Sequence, residues 1–281
     1  MKTIKSTFLL VLAFLVLALP STYSFSATTS YEDFLSKNFQ SCFERAKLGN
    51  SVAQYELGQS YLYGWGVKQS DSEAVKWFRE AAEKGHVLAM IYLGTLYENG
   101  RGVKRSDSEA IKWFREAAEK GHEQAQYRLG LAYVLGRGVK QSDTKAVKWF
   151  RAAAEKGHEE AQYRLGLAYV LGRGVKQSDS EAVKWFREAA EKGHAEAMFN
   201  LGTLYKNGEG VHQSYSEAFK WFRKSADQGN INALYSIGVA YMDGKGVRQS
   251  YSKAKECFGL ACDKGDDLSC YWYAKLNKNE Y

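Results

Sequence analysis

Three sets of residues in this chain have types and spacings suited to chemistry: four cysteines, a row of histidines, and two serines that each precede a lysine by three positions. Cysteines form disulfides or hold metals, and histidines hold metals or transfer protons. A serine three residues before a lysine is the spacing used by penicillin-recognising serine enzymes. Each set also has a structural interpretation, and the position of each residue in the chain decides between the chemical and the structural role.

Four of the histidines recur at a fixed interval. His86, His122, His158 and His194 lie 36 residues apart, and each follows a glycine. If each interval is one unit of packed helices, neighbouring histidines are about 10 Å apart. A zinc site needs its nitrogens about 2 Å from one ion. We therefore predict no metal site and assign these histidines to helix starts or turns.

The two Ser-x-x-Lys segments are Ser142–Lys145 and Ser250–Lys253. At the equivalent place elsewhere the lysine is a glutamate, as in Ser178–Glu181, and Ser-x-x-Glu is the capping box of a helix N-terminus. Neither segment is accompanied by the Ser-Asp-Asn or Lys-Thr-Gly motifs of the penicillin-recognising enzymes. We predict that these serines cap helices.

An internal repeat accounts for these recurrences. Residues 123–158 and 159–194 are two nearly identical copies of one segment, and the same Leu-Gly, Tyr, Gly-x-Gly-Val and Trp-Phe landmarks return throughout the chain. A period of this length is typical of a solenoid. The predicted organisation is a capping helix at 27–50, six repeats at 51–86, 87–122, 123–158, 159–194, 195–230 and 231–266, and a capping half-repeat at 267–281.

Each repeat is predicted to hold two antiparallel helices. The first, from Val52 to Tyr63 in the first repeat, carries apolar residues at helical spacing. A glycine-rich turn follows from Gly64 to Ser70, where Ser70 opens the capping box of the second helix. The second helix ends at Gly85, a residue type typical of the position after a helix C-terminus. The fold class is therefore all-α.

These landmarks resemble the Sel-1-like repeat family. That family implies a right-handed superhelical solenoid of antiparallel helix pairs, related to tetratricopeptide arrays, that acts as an adaptor or scaffold for other proteins. The resemblance also implies export and a role in the bacterial envelope or in host contact, as for many bacterial members. The residues that carry the resemblance in one repeat are Ala125, Leu129, Gly130, Tyr133, Gly136, Gly138, Val139, Ala146, Trp149, Phe150, Ala153, Ala154 and Gly157.

The same resemblance bears on the cysteines. The cysteine-rich branch of the family carries an interhelix bridge that implies a disulfide between Cys262 and Cys270. Cys42 lies at the far end of the rod, and Cys257 stands in the tryptophan column, where it is interpreted as a small core thiol. Relatives in that branch have been associated with penicillin binding and β-lactam hydrolysis, so a β-lactam-processing enzyme is an alternative. The missing partner motifs lead us to predict no enzyme and no cofactor.

The N-terminus has the three parts of a secretory signal. Lys2 and Lys5 precede an apolar run from Phe8 to Leu19, and small residues stand before a predicted cut at Ala27. The run is shorter than the roughly 20 residues that span a bilayer, which disfavours an uncleaved anchor. We expect residues 1–26 to be removed and the protein to be periplasmic or secreted, with no membrane span after cleavage.

The positive charge is dispersed along the chain. The formal net charge is +7, and lysines and arginines alternate with glutamates in every repeat. Such a pattern indicates a solvated surface and not a nucleic-acid site, which would need a basic block. We expect a monomer that binds no nucleic acid.

Comparison between the repeats predicts where a partner binds. Positions 52, 56, 59 and 63 vary between copies and fall on one face of the first helix, which would line the concave groove of a solenoid. Leucines flanked by arginines there favour an amphipathic helix or extended peptide with apolar anchors and an acidic neighbour. Two alternatives stay open: the leucines pack on adjacent helices, or the protein binds peptidoglycan or another glycan. The predicted groove residues are Glu56, Tyr92, Arg128, Leu131, Leu135, Arg164, Leu167 and Leu171.

Overall fold

The computed structural model describes residues 31–278, with side chains from residue 38 onward. The predicted signal peptide at 1–26 lies outside the described residues. Between residues 31 and 278 the chain forms fourteen helices and no strands. They are α1 Tyr31–Lys47, α2 Ser51–Tyr63, α3 Asp71–Glu83, α4 Val87–Asn99, α5 Asp107–Glu119, α6 Glu123–Leu135, α7 Asp143–Glu155, α8 Glu159–Leu171, α9 Asp179–Glu191, α10 Ala195–Asn207, α11 Tyr215–Asp227, α12 Ile231–Asp243, α13 Tyr251–Cys262 and α14 Asp267–Asn277.

The helices form an all-α solenoid, as the sequence predicts. Each helix packs against the next one along the chain, so that α2 to α13 make six helix pairs between α1 and α14. The fully buried residues recur at the repeat period, and they include Phe78, Phe114 and Phe186 on second helices and Leu129 and Leu165 on first helices. None of the described helices combines the length and the apolar content that crossing a membrane requires.

A glycine in each first helix lets the two helices of a repeat approach closely. A Cβ atom on Gly130 would lie 2.6 Å from Cδ1 of Phe150 in the second helix of the same repeat. Gly166 and Phe186 repeat this contact at the same 2.6 Å distance. The phenyl ring occupies the volume that a side chain on α6 or α8 would need, and this explains why the two residue types recur together.

The second glycine of the Gly-x-Gly-Val turn joins one repeat to the preceding one. Gly138 has φ +64°, and a Cβ atom there would lie 2.5 Å from the carbonyl oxygen of Asp107, at the start of the second helix of the previous repeat. Both the left-handed backbone and the close approach require glycine. The turn is therefore a contact between repeats as well as a connection within one.

The predicted helix caps are confirmed. The hydroxyl of Ser142 accepts a hydrogen bond of 3.3 Å from the backbone N–H of Lys145. At the other end of α7, Gly157 has φ +87°, and the N–H of His158 donates to the carbonyl of Ala153 at 3.0 Å. This is the Schellman arrangement that satisfies the last carbonyls of a helix.

Side chains tie neighbouring repeats together at recurring positions. Arg151 in α7 donates to the hydroxyl of Tyr169 in α8 at 2.6 Å. The buried amide of Gln162 donates to the carbonyl of Ala154 at 3.1 Å, which satisfies a backbone acceptor at the end of the preceding repeat. These contacts explain why tyrosine and arginine are fixed at these positions in most copies.

Candidate partner-binding surface

The eight predicted groove residues all lie on first helices. Glu56 is on α2, Tyr92 is on α4, and the others lie three each on α6 and α8. The structure brings Arg128, Leu131 and Leu135 together, because all three line one cavity of about 70 Å³ at the boundary between repeats 2 and 3. The same spacing on α8 places Arg164, Leu167 and Leu171 in the equivalent positions one repeat later.

The four leucines divide into two exposed and two half-buried. Leu135 keeps 55% and Leu171 keeps 57% of its surface exposed. Leu131 and Leu167 are half-buried and pack against the hydrophobic core. Leu131 and Leu167 therefore contribute to packing within the solenoid. Of these four leucines, only Leu135 and Leu171 offer a partner a large apolar surface.

Both arginines are already paired with glutamates. Arg128 Nη1 lies 2.8 Å from Glu98 Oε2 of the preceding repeat, and its guanidinium lies 5.4 Å from the ring centre of Phe114. Arg164 Nε lies 2.9 Å from Glu160 Oε1 on the same helix. The pairing of Arg128 with Glu98 was not predicted from the sequence. The one indication in the sequence is that Glu98 stands at a position where repeats 1, 3 and 4 have leucine or valine.

Tyr92 and Glu56 make contacts within the solenoid. The ring of Tyr92 stacks on Phe78 with centroids 5.0 Å apart, and Glu56 Oε2 accepts from Arg45 Nη2 at 3.0 Å. Next to Tyr92, the exposed Tyr63 stacks on Trp65 with centroids 4.8 Å apart. Burial raises the pKa of Tyr63 to about 12, so its hydroxyl stays protonated at neutral pH. This aromatic pair was not among the predicted residues.

The histidines begin first helices, as the sequence predicts. Nδ1 of His86 accepts from the N–H of Ala89 at 3.3 Å, and His158 and His194 make the same bond in their repeats. Each of these three rings also stacks on a tyrosine of its own repeat, with Tyr127 and His158 centroids 4.6 Å apart. Among the described residues, no group of three or more potential ligands is placed to hold a metal ion.

His122 is the exception, and a substitution in its own repeat explains it. This histidine stands at the N-terminus of α6 but makes no side-chain capping bond. The position that holds Tyr55 in repeat 1 and Tyr127 in repeat 3 holds Ile91 in repeat 2. Without an aromatic ring to stack on, the imidazole is not held in the capping orientation.

The capping histidines predict a pH dependence of stability. Burial lowers the folded-state pKa of His86 and His158 below 6.5 and outweighs the glutamates near each ring. Their contribution is therefore complete above pH 6.5 and is lost as pH falls toward the lowered pKa, because the unfolded chain takes up the protons first. Between pH 7 and 5.5, Tm should fall more steeply for the wild type than for His86→Asn with His158→Asn.

Asparagine is the matched replacement because the chain uses it at the same position. Asn50 and Asn230 cap α2 and α12 by accepting from Ala53 and Ala233 at 2.9 and 3.1 Å, and asparagine does not titrate. The Tm of both proteins is measured by thermal melting at several pH values, followed by circular dichroism. Parallel pH profiles for the two proteins would show that the histidines do not link stability to protonation.

The cysteines and serines occupy structural positions. A disulfide joins Cys262 to Cys270, with Cα atoms 4.6 Å apart, and it links the end of α13 to the start of α14. Burial raises the pKa of the free thiols Cys42 and Cys257 to about 11, which leaves both protonated at neutral pH. The hydroxyl of Ser250 accepts from the backbone N–H of Lys253 at 3.4 Å, as a helix cap.

Comparison with known proteins identifies one family and a set of similar solved structures. The Sel1 repeat profile matches residues 51–86, 87–122, 123–158, 159–194, 195–230 and 231–266. A protective antigen present in uropathogenic Escherichia coli strains, which displays an SLR fold, is 36% identical over 84% of this chain with a TM-score of 0.80. This chain spans only 50% of that protein. A Sel1 repeat protein from Oxalobacter formigenes is 32% identical, with a TM-score of 0.71 over 83% of this chain and 98% of that one. No curated protein matches the chain.

Proposed function

Because the chain belongs to the Sel1 repeat family, whose members commonly mediate protein interactions, we propose that it is an exported scaffold that binds a protein or peptide partner along its first helices. The partner covers the surface formed by Leu135, Leu171 and their neighbours on α6 and α8. The mechanism is binding alone, with an amphipathic helix or an extended peptide as the occupant.

The exposure of Leu135 and Leu171 carries this proposal. The two residues are equivalent in adjacent repeats, and each leaves more than half of its side chain in water. Covering the exposed part of each leucine would contribute roughly 1 kcal/mol. Stacking of the repeats does not require these side chains, since the same position holds Asn99, Asn207 and Asp243 in other copies.

The charges beside the leucines favour apolar recognition. The glutamate partners of Arg128 and Arg164 already neutralise both guanidinium groups. An acidic partner residue would therefore have to displace Glu98 or Glu160, which gives it little net advantage. The sequence-based expectation of an acidic neighbour in the partner is accordingly weaker at this surface, and apolar anchors dominate the proposed interaction.

The proposal includes no catalytic centre. Ser142 and Ser250 serve as helix caps, and the ammonium groups of Lys145 and Lys253 lie over the rings of Tyr133 and Tyr241 at 5.5 and 5.4 Å. Neither serine is thus activated by its lysine in the manner of a nucleophile and its base. Turnover of the chromogenic cephalosporin nitrocefin by the purified protein, above a heat-denatured control, would contradict this part of the proposal.

Export is supported by the signal-like N-terminus and by the disulfide. A bridge such as Cys262–Cys270 persists in oxidising compartments and is rare in the bacterial cytosol. The similarity to a protective antigen also supports a location outside the cytosol, either periplasmic or extracellular. N-terminal sequencing of the protein from culture medium and periplasmic extract should give a chain that begins at Ala27, whereas an intact Met1 would contradict cleavage.

The partner-binding proposal predicts that Leu135→Asp with Leu171→Asp abolishes binding. A charge on each apolar contact would have to be buried without a partner, while the free protein stays folded because both side chains are exposed. Affinity capture from the envelope of the source organism should recover a protein with the wild type and not with the double variant. Calorimetry with the purified partner should show a loss of affinity of at least roughly 10-fold.

The matched control is Leu260→Asp, which places the same charge on an equally exposed leucine, 49% exposed, on a second helix. Circular dichroism should show all three proteins equally helical. Equal recovery of the partner by the double variant and the wild type would place the binding surface elsewhere. Loss of the partner with Leu260→Asp as well would show a general effect of charge.

A second candidate, glycan binding, is favoured by the aromatic pair on repeat 1. Tyr63 is 45% exposed and stacks on Trp65, and exposed aromatic faces suit contact with sugar rings. Retention of the wild type, but not of Tyr63→Ala, on purified cell wall would support this candidate. Equal retention of both proteins, or of neither, would contradict it.

A further inference from the structure

One position on the first helix fills the space beside the preceding repeat. At several boundaries the residue equivalent to Glu56 lies next to the phenylalanine of the previous second helix. Tyr92 stacks on Phe78 with centroids 5.0 Å apart, and Trp272 stacks on Phe258 at 6.4 Å. At the boundary between repeats 2 and 3 the guanidinium of Arg128 takes this place. A flat group therefore covers this site at three boundaries.

At the boundary between repeats 5 and 6 the same position holds only Ser236. The hydroxyl of Ser236 donates to the carbonyl of Asn232 on its own helix at 3.0 Å, so the short side chain does not reach across. A cavity of about 470 Å³ results, compared with about 70 Å³ where Arg128 is present. We call it the repeat 5–6 pocket. Its volume falls in the range of ligand-binding pockets, roughly 300–1,000 Å³.

The walls of the repeat 5–6 pocket combine an apolar floor with a charged rim of two lysines and Asp243. Phe219, Phe222, Val239 and Ala240 are among its lining residues, together with Lys206 and Lys245. Lys245 Nζ lies 3.2 Å from Asp243 Oδ2. Lys206 makes no ion pair with any residue in the described part of the chain.

At one rim position the charge is opposite to that at the cavity filled by Arg128. Lys206 stands where Glu98 stands at the boundary between repeats 2 and 3, and Glu98 pairs with the group that fills that cavity, Arg128. By the same geometry, an occupant of the repeat 5–6 pocket would need a negative charge near Lys206. Its flat part would take the place that Tyr92 and Trp272 take at their own boundaries.

We propose that the repeat 5–6 pocket binds an aromatic side chain of a protein partner that is flanked in the partner's sequence by an aspartate or glutamate. The aromatic ring enters against Phe222 and Val239, and the carboxylate pairs with Lys206. This inference rests on the proposed function, since it supplies a second contact, on α10 and α12, for a peptide that binds along the first helices. It also assigns the acidic character of the partner to this end of the solenoid.

The test is a titration of the ¹⁵N-labelled mature protein with a capped Gly-Ser peptide that has Glu-Trp-Glu at its centre. We expect saturable shifts of the amide signals of Ser236 and Val239. Two peptides serve as controls, one with alanine in place of tryptophan and one with Lys-Trp-Lys. Each should bind more weakly than the Glu-Trp-Glu peptide, by roughly 10-fold or more for the alanine peptide.

Two variants connect the binding to the pocket. Ser236→Arg introduces the residue that repeats 3 and 4 use at this position, and it should weaken binding of the Glu-Trp-Glu peptide by roughly 10-fold or more. The matched control is Asn200→Arg, the same change one repeat earlier, which should leave the affinity within about twofold of the wild type. Lys206→Glu should shift the preference toward the Lys-Trp-Lys peptide by about threefold or more.

Equal affinity of the wild type and Ser236→Arg, or an unchanged charge preference in Lys206→Glu, would overturn the inference, as would the absence of saturable shifts. None of these outcomes affects the proposed function if the captured partner still depends on Leu135 and Leu171. Conversely, specific peptide binding in the pocket with no dependence of partner capture on those leucines would leave the pocket assigned and would remove the surface on α6 and α8.

Discussion

Replacing Gly130 by alanine should destabilise the solenoid, although alanine is the better helix former by about 1 kcal/mol. The new methyl group would lie 2.6 Å from Cδ1 of Phe150, well inside van der Waals contact. Overpacking of this kind costs about 1–3 kcal/mol, and α6 and α7 cannot move apart without disturbing the repeats on either side. After the gain in helix propensity is subtracted, the net loss is up to about 2 kcal/mol, so we expect Tm to fall by up to about 4–8 °C, measured by circular dichroism.

A double-mutant cycle distinguishes the clash from other effects. Phe150→Ala alone should cost about 3–5 kcal/mol, since the ring is buried and its removal leaves a cavity. In that background Gly130→Ala should become stabilising, because the methyl group now enters free space and the helix propensity dominates. Strict additivity of the two changes would contradict the steric explanation.

Two further glycines serve as controls for this prediction. Gly166→Ala should reproduce the loss, because its Cβ would meet Phe186 at the same 2.6 Å. Gly259→Ala should be close to neutral or stabilising, because its Cβ would meet only the ring edge of Tyr273 at 3.1 Å. That ring is 36% exposed and has room to turn away.

Removal of the disulfide with Cys262→Ser and Cys270→Ser should destabilise the C-terminal end by about 2–3 kcal/mol, the loop-closure value for so short a loop. The bridge joins α13 to α14, and within residues 31–278 the main packing partner of α14 is α13. In a solenoid each repeat depends mainly on its neighbours. The loss should therefore stay near the end of the rod.

Hydrogen exchange followed by mass spectrometry tests whether the loss of stability is confined to the C-terminal end. Amides of α14 should exchange roughly 30-fold faster or more in the double variant, while those of α6 and α7 should keep their wild-type rates. Reduction of the wild type should reproduce the pattern. Faster exchange throughout the array would show that the bridge stabilises the whole protein, against the nearest-neighbour picture. Unchanged exchange in α14 would show that packing against α13 suffices to hold it.

Much of the fold could be predicted from the sequence because its determinants are local and are repeated six times. The N-cap at Ser142 and the C-terminal glycine at Gly157 depend on residues within one or two turns of the helix, so their patterns identify the helix ends directly. The fixed Gly130 and Phe150 recur together because they touch. Repetition shows which positions packing requires, even without other sequences.

The candidate surface was less predictable because it depends on contacts between repeats. Leu131 and Leu135 lie one turn apart on the same face of α6, yet only Leu135 is exposed, because Leu131 packs against the core. The pairing of Arg128 with Glu98 spans 30 residues of sequence and joins positions that no single repeat relates. The repeat 5–6 pocket depends on the short side chain of Ser236, and this feature is not part of any sequence motif.

The backbone contact between Gly138 and Asp107 gives the array a fixed increment of length. Since each boundary is joined through glycine and main chain, a whole 36-residue unit can be gained or lost with both of its junctions preserved. The two nearly identical units at 123–158 and 159–194 lie between the aromatic pair of repeat 1 and the repeat 5–6 pocket. Changing their number would alter the distance between the two ends and the number of exposed leucines between them, while leaving each end intact.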